Sequence, residues 1–276
     1  GRKAGTGGAA EVLLLREVKP DYGDGRATWE GLVKPGRRLK LGAVIEFYPA
    51  VARSHAVAAE EVIADTESQD ASSAPILTAT VRDWTAEGGK GERLIEIRAL
   101  EGTLTEAVHR VGRAPLPPYI TQYTGDPEMY QTVYAQRERS AAAPTAGLHF
   151  TRELIDELTS AGIGFGTVEL EVGLDTFRIV DEEHPEDHKM HTERYHVTSE
   201  LIARIEQTKA DGHRVIAVGT TSLRSLESAY DEEKGRLRPT SPEGECTSLY
   251  ILPGYTFHVV DGLITTFHVP RSTLMM

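Results

Sequence analysis

A single histidine ends a run of very small residues in the segment AAAPTAGLHF, at positions 141–150. Because an imidazole titrates near neutral pH, His149 could accept or donate a proton during catalysis. Pro144 and Gly147 disfavour a helix through this segment, and the small side chains predict that a ligand can approach the backbone closely. The predicted members of this ligand site are Pro144, Thr145, Ala146, Gly147, His149 and Phe150.

The segment RVIAVGTTSLRSLES, at positions 214–228, has the pattern of a buried strand followed by a helix. The free N–H groups at the start of such a helix favour an anionic or polar ligand atom, and strand ends of α/β sheets are common ligand sites. Arg224 and Glu227 lie one turn apart and could hold a ligand, or they could form a surface ion pair on a capped helix. The predicted ligand-binding residues at the strand end are Gly219, Thr220, Thr221 and Ser222.

Four histidines lie in the acidic segment DEEHPEDHKMHTERYHV, at positions 181–197. Their spacing is compatible with a metal site, but Pro185 disfavours one continuous helix that would present the imidazoles together, and we expect no metal. The same segment could instead supply a cation, a titratable imidazole and a carboxylate to a catalytic pocket. The pocket would use Lys189, His191 and Glu193, whereas the metal alternative would use His184, His188 and His191 with Asp187 or Glu193.

Aromatic side chains and a histidine recur in the segment LPGYTFHVVDGLITTFHVPRST, at positions 252–273. Its Pro-Gly and Asp-Gly pairs predict turns, so the segment is expected to form a β-hairpin. Tyr255, Phe267 and His268 could stack on a planar base, or they could form the packed interior of the hairpin.

The densest group of cations lies in LVKPGRRLKLG, at positions 32–42. The formal net charge of −12 argues against a protein that coats nucleic acid through overall positive charge, but it leaves a local basic site open. A solvated hairpin tip and a phosphate contact are both compatible with the spacing. The four cations are Lys34, Arg37, Arg38 and Lys40.

The elements that must position these residues fall into two groups. Short alternating strands such as ATWEGLV and ERLIEIRAL predict a small antiparallel, Greek-key-like β-barrel over residues 1–102. From Thr103 on, helices and strands alternate, beginning with a capping box formed by Thr103 and Glu106. The sequence therefore predicts an α/β protein with an all-β part, in which residues 103–276 form an α/β catalytic domain with a mixed or mostly parallel sheet.

The composition is that of a globular protein in water. Hydrophobic residues make up 39% and charged residues 26% of the 276 residues. No apolar run reaches the roughly 18 residues of a membrane span, and Cys246, the one cysteine, excludes a disulfide within the chain. We therefore expect a soluble, cytoplasmic protein.

The chain resembles the S-adenosylmethionine:tRNA ribosyltransferase-isomerase family of queuosine biosynthesis in six motifs that occur in the family's order. They are LPPYI, YQTVYA, AAPTAGLHFT, VGTTSLRSLES, PGYTFHVVDGLITTFH and PRSTL. With TGGAAEVLLL and LVKPGRRLKLG in the predicted barrel, the resemblance covers nearly the whole chain. The N- and C-terminal segments that flank this core in the family are absent from the 276 residues.

The resemblance implies a reaction at the tRNA wobble position. The ribosyl part of S-adenosylmethionine would be transferred to 7-aminomethyl-7-deazaguanine and isomerised, which gives epoxyqueuosine-tRNA, adenine and methionine. S-adenosylmethionine would be a co-substrate, and no true cofactor is expected. His149 and His191 would then transfer protons, because the sulfonium acidifies the adjacent ribose carbon and adenine leaves more readily when it is protonated. Arg224 and Glu227 would hold substrate groups or orient the base.

The resemblance also implies roles for the remaining candidates. Arg178 and Lys189 would meet the methionine carboxylate or a tRNA phosphate. The strand-end hydroxyls would bind ribose or methionine oxygens, and Glu193 and the aromatic group would complete the substrate site. The candidates for tRNA contact are Lys34, Arg37, Arg38 and Lys40.

The chain departs from the family's pattern at three positions. Glu171 stands where the family usually has histidine, Asp175 where it has glycine, and Thr266 where it has asparagine. Two added negative charges would repel a phosphate or a carboxylate if those positions touch substrate. The departures leave two alternatives open: a related transferase that uses S-adenosylmethionine on a non-tRNA acceptor, and a non-catalytic RNA-binding protein that uses the basic turn.

Overall fold

The computed structural model describes residues 1–49, 74–85, 91–113, 115, 120, 127–136, 140, 142–173, 182, 184–188, 190 and 192–268. Over these residues the chain is a mixed α/β protein with four α-helices. It forms two compact units, Gly1–Asp126 and Pro127–Met276.

The first unit is built on a six-stranded sheet. Its strands are β1 (Arg2–Lys3), β2 (Glu11–Lys19), β3 (Arg26–Lys34), β4 (Val44–Phe47), β5 (Leu77–Trp84) and β6 (Arg93–Ala99). They lie in the order β1-β4-β5-β6-β3-β2, and every neighbouring pair is antiparallel, as predicted. The N–H of Lys3 donates to the carbonyl of Gly8 over 2.8 Å, just before β2, so the two outer strands approach each other. Closure of the sheet into a barrel stays a prediction.

Alternation along the strands explains the core of this unit. In β6, Ile95 and Ile97 are buried while the intervening Glu96 and the following Arg98 are more exposed. Because successive side chains of a strand point to opposite faces, one face of the sheet is apolar. Ile45 and Ala79 of β4 and β5 are completely buried on that face.

Helix α1 (Leu104–Val111) closes this core and begins with the predicted capping box. The N–H of Glu106 donates to Thr103 Oγ1 over 3.3 Å, and the N–H of Thr103 donates to Glu106 Oε2 over 3.0 Å. Leu104 and Ala107 are buried in the same cluster as the sheet residues. The compact unit therefore extends past the predicted boundary at residue 102.

The second unit contains three helices, α2 (Arg152–Ser160), α3 (Ser199–Ala210) and α4 (Thr220–Ser228). Helices α2 and α3 also begin at threonine caps: Thr151 Oγ1 accepts the N–H of Leu154 over 3.1 Å, and Thr198 Oγ1 accepts that of Leu201 over 3.2 Å. The longest of the described helices has 12 residues, and none of them has the length and apolarity of a membrane span.

The strands of the second unit are short and form three separate sheets. They are β7 (Glu169–Glu171), β8 (Glu193–His196), β9 (Ile216–Val218), β10 (Tyr230–Asp231), β11 (Arg236–Leu237), β12 (Glu245–Thr247) and β13 (Gly262–Ile264). Strands β12, β8 and β7 form an antiparallel sheet, β10 pairs antiparallel with β11, and β13 pairs parallel with β9. The prediction of a mostly parallel sheet is thus wrong for the described part of the chain.

The hairpin predicted for residues 252–273 is also wrong over its described part, which ends at residue 268. The segment before β13 is not a strand, because its backbone N–H groups at 258–260 donate to the buried Glu227 carboxylate instead of to a partner strand. Strand β13 therefore does not pair within a hairpin. It pairs in parallel with β9, where Leu263 lies opposite Ala217.

Helices α3 and α4 contribute four of the eleven buried residues in the apolar core of the second unit. Ile202 and Ile205 of α3 and Leu223 and Leu226 of α4 are buried at helical spacing, and they pack with Tyr195 of β8. This core fixes α4, whose first residues follow the end of β9.

Replacing Gly31 in β3 with alanine is expected to destabilise the first unit. A Cβ at this position would lie 2.5 Å from the carbonyl oxygen of Leu13 and 2.9 Å from Ile95 Cδ1, so backbone must shift. We expect a loss of about 1–3 kcal/mol in the free energy of unfolding. Denaturation followed by tryptophan fluorescence measures it, because Trp29 and Trp84, the chain's two tryptophans, lie in this unit.

Gly8→Ala is the matched control, because the nearest atom to its added Cβ is Thr6 Oγ1 at 3.9 Å. Equal midpoints for the two variants would show that β2 and β3 do not pack as closely as described.

Candidate functional site

Three segments that the sequence marked separately line one cavity of about 530 Å³ in the second unit. The first is the 3₁₀ turn Thr145–His149 with the following Phe150, the second is the end of β9, and the third is the end of β13 with the residues after it. The lining residues are Ala146, His149, Phe150, Leu154, Val218, Ile264, Thr265, Thr266 and Phe267.

The small residues of the turn are explained by packing as well as by the cavity. A Cβ on Gly147 would collide with the hydroxyl of Tyr134, and it would lie 3.1 Å from Thr132 Cγ2. Ala146 is buried, and its Cβ is 3.7 Å from where a Cβ on Gly219 would be. Glycine and alanine therefore let the turn approach its neighbours closely, and they leave the exposed His149 at the cavity.

Phe150 holds the end of this turn in an aromatic cluster. Its ring lies edge-on to those of Tyr134 and Phe165, with centroid separations of 6.4 Å and 5.2 Å. Edge-to-face pairs of this kind stabilise a fixed relative orientation of the rings. The cluster thus holds the backbone next to His149 while Phe150 also lines the cavity.

The strand end before α4 has the conformation that the sequence predicted. Gly219 has a φ of +89°, which favours glycine, and its N–H donates to the carbonyl of Ile264 over 2.8 Å. Gly219, the N-cap residue of α4, has no side chain that could accept a hydrogen bond from the first N–H groups of the helix. Val218 lines the cavity, and Thr220, Thr221 and Ser222 follow Gly219, although their side chains are not among the lining groups.

The residues after β13 bring hydroxyls and an aromatic ring to the same cavity, and His268 follows directly after them in the chain. Thr266 Oγ1 lies 3.3 Å from Thr145 Oγ1, and Thr265 Oγ1 lies 3.3 Å from His268 Nε2. Burial lowers the pKa of His268, which favours its neutral, proton-accepting form. The Phe267 side chain is fully exposed and is available to stack on a ligand ring.

Arg224 and Glu193, predicted to touch substrate, instead form a buried ion pair. Arg224 Nη1 lies 2.5 Å from Glu193 Oε2, and both side chains are less than 10% exposed. The guanidinium also donates to the carbonyls of Leu249 and Thr247 over 2.9 Å and 3.2 Å. Burial lowers the pKa of Arg224, an effect that Glu193 opposes. The pair connects α4 to β8 and β12, which is a structural role.

The Glu227 carboxylate likewise has hydrogen-bond partners within the fold. Its carboxylate accepts the N–H groups of His258, Val259 and Val260 over 2.9–3.0 Å, and the hydroxyl of Tyr255 over 3.3 Å. The side chain is buried because these donors replace its water. Of the two alternatives for Arg224 and Glu227, the surface ion pair is not formed, since each side chain is buried with other partners.

Tyr255 is placed away from the His149 cavity. Burial, with the nearby Glu227 carboxylate, raises the pKa of Tyr255 to about 12. Together with Glu232 and Thr256, it lines a second cavity of about 400 Å³. Tyr230 and His258 complete that cavity and stack on each other at a centroid separation of 4.3 Å. Tyr255 and Phe267 thus line different cavities.

The histidine-rich segment is described only in part, and Arg178, Lys189, His191 and Asp175 lie outside the described residues. Where the segment is described, His188 Nδ1 lies 3.0 Å from Glu182 Oε2, and His196 Nδ1 lies 2.6 Å from Thr240 Oγ1. Within the described ranges, no group of three or more metal-binding side chains is placed to hold an ion.

Glu171, a departure from the family pattern, faces a cation of the protein. It stands opposite Arg194 in the pairing of β7 with β8, and its Oε2 lies 3.9 Å from Arg194 Nε. Its side chain is 26% exposed. The carboxylate is thus partly neutralised and is not among the groups that line the His149 cavity.

The basic turn, defined as residues 34–40, lies in the first unit. Lys34, Arg37, Arg38 and Lys40 are all exposed there, as expected of either a solvated tip or a phosphate contact.

Sequence reasoning missed four of the cavity's lining residues: Leu154, Val218, Ile264 and Thr265. For Val218 and Ile264 a signal was present, because they end β9 and β13 and face each other in the register. The rule that ligands bind at strand ends therefore applies to them as well as to Gly219. Leu154 had no such signal, since it reads as an ordinary apolar position of an amphipathic helix.

Glu227→Gln is expected to loosen the segment that Glu227 holds. The amide keeps one acceptor oxygen but brings N–H donors against the N–H groups of residues 258–260, so we expect local opening to become easier by about 2 kcal/mol. Amide hydrogen exchange of a peptide covering these residues measures the change as about 30-fold faster exchange. Glu206→Gln, at an exposed position of α3, is the control and should leave this exchange unchanged. Unchanged exchange in Glu227→Gln would show that the carboxylate does not hold the segment.

Comparison with known proteins identifies the family. The family model described as queuosine biosynthesis protein matches residues 1–276. The S-adenosylmethionine:tRNA ribosyltransferase-isomerase of Symbiobacterium thermophilum is 44% identical over 276 residues, which are 100% of this chain and 70% of that protein. Its counterpart from Carboxydothermus hydrogenoformans is 42% identical over 270 residues, 98% of this chain and 68% of that protein.

A solved structure is also similar to the chain. The S-adenosylmethionine tRNA ribosyltransferase of Thermotoga maritima has 25% sequence identity and a TM-score of 0.34, with 100% of this chain and 65% of that chain covered. On the family model and the curated relatives, the chain belongs to the queuosine biosynthesis protein family.

Proposed function

We propose that the protein is an S-adenosylmethionine-dependent tRNA ribosyltransferase-isomerase. It transfers and isomerises the ribosyl moiety of S-adenosylmethionine onto 7-aminomethyl-7-deazaguanine at the tRNA wobble position, with release of adenine and methionine. Membership of the family and the names of relatives that are 42–44% identical support this activity. The observation that carries it is the single cavity where the turn Thr145–His149, the end of β9 and the residues after β13 meet.

The size and lining of the cavity suit a nucleoside. Its volume of about 530 Å³ lies within the range of small-molecule sites. Apolar side chains and the exposed ring of Phe267 can contact the faces of a planar base, and the hydroxyls of Thr265 and Thr266 can bond ribose oxygens. S-adenosylmethionine is the proposed co-substrate, and no further cofactor is included in the proposal.

Two imidazoles of the cavity region can move protons. His149 is exposed at the cavity, where it can donate to the departing adenine or remove the proton that the sulfonium acidifies. His268 is biased to the neutral form and lies beside Thr265, so it suits a proton acceptor. His191 stays a further candidate for proton transfer, as the family resemblance implies.

The proposed tRNA substrate requires a surface for phosphates, and we assign this role to the basic turn. Its four exposed cations provide local positive charge on a chain with a formal net charge of −12. A tRNA substrate also supports the cytoplasmic location that the sequence predicts.

The alternative of a non-tRNA acceptor rested on repulsion by Glu171 and Asp175. The Glu171 carboxylate is partly neutralised by Arg194 and does not line the cavity, which weakens that argument. Of the two departures that the structure describes, Glu171 and Thr266, it is Thr266 that lines the cavity, and it adds no charge.

His149→Ala is expected to reduce turnover by about 100-fold or more, the size of a general acid–base contribution, while the fold is retained. Adenine release from labelled S-adenosylmethionine, with tRNA that carries the aminomethyl-deazaguanine, measures turnover. The matched control is His213→Ala, which removes an exposed imidazole in the loop after α3 and should retain full activity.

Two results would contradict the proposal. Wild-type activity in the His149→Ala variant would remove this imidazole from the chemistry. Adenine release by the wild-type protein at the same rate without tRNA would instead favour a different acceptor.

A further inference from the structure

The four cations of the basic turn have no internal counter-charge among the residues that the structure describes. Lys34, Arg37, Arg38 and Lys40 are exposed, and no ion pair to a described carboxylate engages any of them. Lys3 adds a fifth cation, because its Nζ lies 3.2 Å from the carbonyl oxygen of Arg38. These cations favour an external anion, and the backbone that carries them requires support from within the protein.

The internal support is a buried arginine on the neighbouring strand. Arg93, the first residue of β6, is 5% exposed. One Nη donates to the carbonyl of Leu39, and the other donates to the carbonyl of Gly36 over 2.6 Å. Two donors of one planar guanidinium thus bridge both ends of the chain segment that carries Arg37 and Arg38.

A cation–π contact and an apolar contact fix the same arrangement. The Arg93 guanidinium lies over the ring of Trp84, its partner in the β5–β6 register, at 4.6 Å from the ring centroid. Leu39, between Arg38 and Lys40, is 1% exposed and is anchored in the core. The protein interior therefore holds the backbone of the basic turn in place, while its four cations are exposed to solvent.

Among the described residues, the Arg93 side chain does not find a partner for every one of its N–H donors. Its Nε is buried, and among the described residues it has no hydrogen-bond partner, which costs free energy. A carboxylate would neutralise a buried cation, yet the partners of its two Nη atoms are neutral carbonyls. Its charge also adds to the positive potential beneath the turn.

From these contacts we infer that Arg93 is the positioning residue of the tRNA-binding surface: it holds the basic turn in the shape in which Arg37 and Arg38 meet consecutive phosphates. This inference rests on the proposed tRNA substrate. Arg93 itself is buried and touches no phosphate, so its effect on binding acts through the turn.

The test compares tRNA binding by four variants of the full chain. Fluorescence anisotropy with an unmodified tRNA transcript, measured at several salt concentrations, gives both the affinity and the slope of log K against log salt. Arg93→Met removes the two Nη donors at similar side-chain length. Arg93→Lys keeps the positive charge but loses the forked pair of guanidinium donors. Arg37→Ala/Arg38→Ala removes two proposed phosphate contacts. Arg82→Met is the control, because Arg82 is an exposed arginine of β5 that pairs with Glu96.

Expected results follow from counterion release. The Arg37→Ala/Arg38→Ala variant should lose roughly 1–2 in the salt slope. Arg93→Met should weaken binding by about 10-fold and lose about 1 in the slope, although it removes no contact to phosphate, and Arg93→Lys should be intermediate. Arg82→Met should bind within about twofold of the wild type, because it lies outside the turn.

Thermal unfolding followed by far-ultraviolet circular dichroism verifies that each variant is folded. The role of Arg93 is overturned if Arg93→Met binds tRNA with the same affinity and salt slope as Arg82→Met. If Arg37→Ala/Arg38→Ala binds weakly in the same experiment, the tRNA contact of the basic turn still stands. If Arg93→Met does not fold, wild-type affinity and slope in Arg93→Lys overturn the inference. Absence of tRNA binding by the folded wild type would refute both the inference and the proposed substrate.

Discussion

The burial of two opposite charges on helix α4 is the constraint on which the second unit depends. Arg224 and Glu227 lie in the core, where an unpaired charge costs several kcal/mol. Arg224 is compensated by Glu193 and by the carbonyls of residues 247 and 249. Glu227 is compensated by the N–H groups of residues 258–260. One helix therefore organises three distant parts of the chain around itself.

This arrangement determines what the cavity contains. Since Arg224, Glu193 and Glu227 are used within the fold, the cavity's described lining consists of apolar side chains, hydroxyls and the His149 imidazole. Glu227 also keeps the segment before β13 out of a hairpin. That allows β13 to lie parallel to β9 and brings Thr266 to Thr145. The buried ion pair of Arg224 with Glu193 and the lining of the His149 cavity thus both result from the way α4 packs in the second unit.

The local elements could be predicted from the sequence because their signals are local. The capping box at Thr103 and the strand-to-helix junction at Gly219 need only neighbouring residues, and the structure confirms both. The tertiary partners of side chains were harder to predict. The spacing of Arg224 and Glu227 indicates that they share a helix, but it does not indicate which residues pack against them.

The candidate site shows the same division. Ala146, His149, Phe150 and Phe267 line the cavity as their motifs indicated. The direction of β13 was misjudged, since a Pro-Gly and an Asp-Gly turn suggested a hairpin, and a buried carboxylate from 31–33 residues earlier overrides that preference. Whether residues such as His191 join the cavity could not be read from the sequence, because it depends on a loop path that no periodicity encodes.

The Glu227 contacts have a consequence for synthesis of the chain on the ribosome. The donors that surround this carboxylate are 31–33 residues downstream, so α4 is made well before the partners of its buried charge exist. Until they emerge, the helix cannot dock without a bare carboxylate in its core, and its apolar face stays available to chaperones. The nascent second unit therefore cannot complete its core until translation has passed the segment that leads to β13.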